Sequence, residues 1–63
     1  MFVIATTNPT FTPKNKEIGF AKGEKYVDLK DALTFNTYEE ANANMILEGE
    51  FVLPMHLAEK MEA

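Results

Sequence analysis

The sequence predicts an α+β fold, a small antiparallel sheet of three or four strands with one main helix packed on one face. Short segments rich in Phe, Val and Ile, bounded by Gly and Pro, are typical of strands. Residues 32–49 (ALTFNTYEEANANMILEG) carry in succession the signals of a strand end, a helix start and a helix stop. With 63 residues, the chain is expected to form a single domain over residues 1–63.

The main helix is predicted over residues 38–48. Thr37 lies three residues before Glu40, which is the spacing of a capping box in which each residue's side chain accepts from the other's amide. Glu39 adds negative charge to the first turn, where the helix dipole favours it, and Gly49 supplies the left-handed residue that often follows a helix. At about 100° per residue, four side chains share the arc expected to face the core: Tyr38, Ala41, Met45 and Ile46.

Strands are predicted over residues 2–5, 17–21, 25–29, 32–35 and 50–53, with a turn over residues 22–24. Asn8-Pro9 marks a turn inside a long loop over residues 6–16. Between the third and fourth strands we prefer a tight turn at Lys30-Asp31; in the alternative, Asp28 caps a single helical turn. Pro54 limits any continuation of the last strand to an edge position, because proline cannot donate to a ladder.

Two patterns compete over residues 55–62. Alternation of Phe51, Leu53, Met55 and Leu57 suits a strand, whereas Leu53, Leu57, Ala58 and Met61 lie at helical spacing. The residues LAEKMEA are strong helix formers, so we predict a short C-terminal helix. The predicted core consists of Phe2, Ile4, Ile18, Phe20, Val27, Leu33, Phe35, Ala41, Met45, Ile46, Phe51 and Leu53.

Composition removes several classes of function. The chain has no cysteine, which excludes disulfides and fits a cytoplasmic location, and its one histidine, His56, cannot form a zinc site of the usual kind. The core of a chain this short gives only marginal stability, and disulfides and zinc are excluded, so homodimer formation is the remaining way to add stability. No apolar run reaches the roughly 18 residues that span a membrane, and Met1 leads into an apolar strand without a basic signal-peptide region. We therefore expect no membrane contact.

Charge is uneven along the chain. Residues 1–30 carry five lysines against three acids, a balance of +2, whereas residues 31–63 carry seven acids against Lys60, a balance of −6. Arginine is absent, so nucleic acid is not an expected partner. The lysines are typical of a solvated sheet edge that discourages aggregation. The acidic half leaves open the alternative of a DNA mimic.

The sequence shows no catalytic, metal or cofactor-binding signature, so we predict a protein that is not an enzyme and has no cofactor. Glu39 and Glu40 point about 100° apart on a helix and do not converge. The candidate partner-binding residues are apolar: Phe11, Leu47, Met55 and Met61. Phe11 either plugs one end of the core or is an exposed aromatic anchor. Leu47 either packs under the C-terminal segment or contacts a partner.

Residues 31–41 (DALTFNTYEEA) resemble a pattern found in very small bacteriophage accessory proteins, in which a strand ending in Ala-x-x-Phe precedes Thr/Ser-x-Glu-Glu-Ala at a helix start. The resemblance implies a compact α+β domain that binds and inhibits a host protein; it assigns no functional residues. A self-associating structural component, and a nucleotide binder formed between subunits with the lysine edge, are the alternative functions.

Overall fold

The fold is a four-stranded antiparallel sheet with one helix on each face. In chain order its elements are β1 (Phe2–Thr6), β2 (Gly19–Lys22), β3 (Lys25–Val27), a 3₁₀ helix (Leu29–Asp31), α1 (Tyr38–Ala43), β4 (Glu50–Pro54) and α2 (Met55–Glu62). The strands lie in the order β3-β2-β1-β4. The computed structural model describes residues 1–12, 16–45 and 49–62. The predicted α+β class, the edge position of the last strand and the C-terminal helix are confirmed.

Strand β1 is central and is buried on both faces. Val3 and Ala5 pack with Ala58 of α2, whereas Ile4 packs with Ala41 of α1. Successive side chains of a strand point to opposite faces, so the sheet has an α2 face and an α1 face, each with its own apolar cluster. The predicted core omitted Val3 and Ala5, because it assumed that only one face of β1 would be covered.

Two hairpin connections set the register of the sheet. Strands β2 and β3 meet at the pair Lys22–Lys25, and Gly23 in the turn between them has φ of +64°. That left-handed conformation suits glycine, and it confirms the predicted turn. Strands β1 and β2 pair with Ala5 opposite Phe20, so a long loop joins them.

The predicted strand over residues 32–35 and the predicted turn at Lys30-Asp31 are wrong. A 3₁₀ helix, Leu29–Asp31, follows β3, in agreement with the alternative of a single helical turn after Asp28. Residues 32–35 then fill the gap where β1 and β2 diverge. Phe35 exchanges backbone hydrogen bonds of 2.8 and 2.9 Å with Phe2, and the Leu33 N–H donates to the Ala21 carbonyl at 3.2 Å. Leu33, predicted in the core, is 46% exposed, because this segment lies at the margin of the α1 face.

The 3₁₀ helix is capped from the far end of the chain. The Leu29 N–H donates to Glu62 Oε2 at 2.7 Å, whereas the Asp28 side chain makes no cap bond within the described residues. We expect Glu62→Ala to lower the free energy of unfolding by about 1–2 kcal/mol, because it leaves a partly buried amide without its acceptor. Urea unfolding measures the loss. Glu62→Gln, which retains a carbonyl acceptor, should lose less than half as much; equal losses would contradict the cap.

Helix α1 begins as predicted but ends early. The Glu40 N–H donates to Thr37 Oγ1 at 3.1 Å, which confirms the Thr37 half of the predicted capping box. The predicted end at residue 48 is wrong, because α1 stops at Ala43. Asn44 causes the stop: its side-chain Nδ2 donates to the Glu40 carbonyl at 2.8 Å and so replaces the next helical backbone bond. Gly49 has the expected positive φ, +89°, but precedes β4 and does not end α1.

Most of the predicted core is at least partly buried. Ile4, Ile18, Phe20 and Ala41 are buried. Phe2, Val27, Phe35, Met45, Phe51 and Leu53 are partly buried. Ile46 lies outside the described residues. Tyr38, expected to face the core, is 52% exposed and lies edge-on to the Phe2 ring, with centroids 6.3 Å apart. In the described part of the chain, no helix is long and apolar enough to cross a membrane.

Candidate interaction surface

The α1 face is covered unevenly. Helix α1 is only six residues long and packs on β1 and β4. Side chains of the strands and loops therefore cover the part of the α1 face that is formed by β2 and β3. Tyr26 of β3 and Ala21 of β2 are register neighbours on this half, and both belong to the apolar cluster of the α1 face. The small Ala21 side chain leaves room for the Tyr26 ring to extend across the sheet.

The Tyr26 and Glu50 side chains together link the two outer strands across the α1 face. The Tyr26 hydroxyl donates to Glu50 Oε2 on β4, at 2.5 Å, although β3 and β4 are the two outer strands. Burial, the hydrogen bond to the Glu50 carboxylate and the negative charge of that carboxylate together raise the pKa of Tyr26 to about 12. The neutral phenol is thus the form that the folded protein holds.

This shift predicts a loss of stability at high pH. The unfolded state releases the Tyr26 proton near its ordinary pKa of 10.0, whereas the folded state retains the proton up to about pH 12. Stability from Tyr26 is therefore complete below pH 10 and falls as pH rises toward 12, because the unfolded state then binds fewer protons. Urea unfolding of the wild type and of Tyr26→Phe at several pH values measures this; lysine titration is common to both and cancels.

A direct titration supplies the control. In a Tyr38→Phe variant, Tyr26 is the one remaining tyrosine, so the phenolate absorbance reports it alone. We expect a midpoint near pH 12 in the folded protein and near 10 in urea. A folded midpoint near 10 would show that Tyr26 is neither desolvated nor bonded to Glu50.

The loop after β1 holds Phe11 against Tyr26. The Asn8 N–H donates to the buried Thr6 hydroxyl at 3.2 Å, and the Asn8 side chain accepts from the Thr10 N–H at 2.9 Å. The Asn8 carbonyl then accepts from the Phe11 N–H at 2.9 Å, which confirms a turn at Asn8-Pro9. The Phe11 and Tyr26 ring centroids are 5.6 Å apart, and Phe11 is still 38% exposed. One side of the Phe11 ring is therefore packed and the other is accessible.

The α1 face also holds a small cleft of about 80 Å³. Buried Ile4 and Ala21 contribute to its lining, together with the more exposed Leu33 and Phe35. Gly23, Asn44 and Glu50 complete the lining. The result is an apolar recess with an amide and a carboxylate beside it.

The predicted partner-binding residues do not form one patch. Phe11 lies on the α1 face. Met55 and Met61 belong to α2 on the opposite face; Met55 is partly buried against its cluster, and Met61 is 49% exposed. Leu47 lies outside the described residues. Sequence reasoning missed Leu33, because the strand pattern placed it in the core, and it missed the Tyr26–Glu50 bond, which no local spacing signals.

A second depression, of about 490 Å³, lies where α2 begins and is lined in part by Met1, Met55, His56 and Glu59. It is a surface feature, since three of these four side chains are exposed. Among residues 1–12, 16–45 and 49–62, no group of three or more His, Cys, Asp or Glu side chains is placed to hold a metal ion.

Fold and surface together define a small α+β domain with a small, largely apolar cleft on one sheet face. No family model matches the chain, and neither a curated protein nor a solved structure matches it significantly.

Proposed function

We propose that this chain is a non-enzymatic binding protein of the phage accessory type, which binds and inhibits a host protein through the cleft on the α1 face. The observation that carries the proposal is Leu33, which is 46% exposed at the margin of a recess containing buried Ile4 and Ala21. Contiguous exposed apolar surface with polar residues at its rim is a mark of interaction sites on proteins. The resemblance of residues 31–41 to small phage proteins points to the same class.

The size of the cleft favours a protein partner over a cofactor. Its volume, about 80 Å³, is below that of typical small-molecule sites, which are roughly 300–1,000 Å³. It is also smaller than the roughly 150 Å³ cavity that admits benzene. One aliphatic side chain of a partner, inserted between Leu33 and Phe35, is the occupant of suitable size.

The acidic residues near the cleft indicate which charge the partner should carry around the inserted side chain. Glu39 and Glu40 are exposed on α1, whose C-cap residue Asn44 lines the cleft. The partner surface is therefore apolar at its centre and basic around it. Because such charges act at the exposed rim, we expect association to slow and affinity to fall as salt is raised.

Affinity capture from bacterial lysate tests the proposal when matched variants are used. Leu33→Asp and Phe11→Ala alter the α1 face at exposed positions, whereas Leu57→Ala removes an exposed leucine of similar accessibility, 40%, from α2. We expect one stoichiometric protein to be retained by the wild type and Leu57→Ala and lost with Leu33→Asp. The purified chain should then inhibit the captured protein in its own assay. Capture that ignores Leu33→Asp, or no capture, would refute this surface.

A further inference from the structure

We draw no further inference here: the strongest candidate, the surface patch formed by the exposed apolar side chains of Leu57 and Met61 one turn apart on α2, carries nothing, because nothing in the described part of the structure shows what covers it.

Discussion

Replacing Phe20 with alanine is expected to lower the free energy of unfolding by about 3–5 kcal/mol. Phe20 is fully buried in β2, between Ala5 of β1 and Val27 of β3, and it is the largest of the fully buried side chains. A domain of 63 residues has roughly 3–9 kcal/mol of stability in total. The variant should therefore lose a large share of its stability, as urea unfolding followed by circular dichroism will show.

Two further variants make the result specific. Phe20→Leu retains most of the apolar volume and should stay folded, with a loss of about 1–2 kcal/mol. Phe11→Ala removes a ring that is packed on one side only, so its loss should be about 1 kcal/mol. Similar losses for Phe20→Ala and Phe11→Ala would mean that the core does not centre on β2.

Replacing Ala58 with leucine should destabilise the protein by about 1–3 kcal/mol, although both residues favour helix. Ala58 is the one buried residue among those described in α2, and it packs directly on Val3 and Ala5. A larger side chain there must push α2 away from the sheet. Thermal unfolding should therefore show a lower midpoint for the variant.

Lys60→Leu is the matched control on the same helix. Lys60 is exposed, so its replacement tests helix propensity without overpacking and should change stability by less than about 0.5 kcal/mol. If Ala58→Leu were as stable as Lys60→Leu, the close contact between α2 and the sheet would be wrong.

Local signals predicted the local structure well. Thr37 and Glu40 mark the start of α1, Gly23 marks the hairpin, and Pro54 marks an edge strand, because each acts through its own backbone conformation or its nearest hydrogen bonds. The end of α1 was predicted wrongly for a related reason. The Asn44 side chain competes with the backbone for the Glu40 carbonyl, and the apolar spacing beyond it concealed that competition.

The candidate surface was predicted only in part. Phe11 was recognised as an isolated aromatic residue in a loop, but the placement of Leu33 depended on a strand that does not form. The Tyr26–Glu50 bond joins residues from opposite edges of the sheet, so no spacing along the chain indicates it.

The sequence by itself determined the class of fold, the cap of α1, the hairpin turn and the C-terminal helix, because these depend on contacts between residues close in the chain. Only the tertiary structure decided that β1 is buried on both faces, that Glu62 caps Leu29, and that residues 32–35 fill the gap between two strands. These features depend on which distant segments meet. In a short apolar strand such as residues 2–5, hydrophobicity alone does not say whether one face or both will be covered.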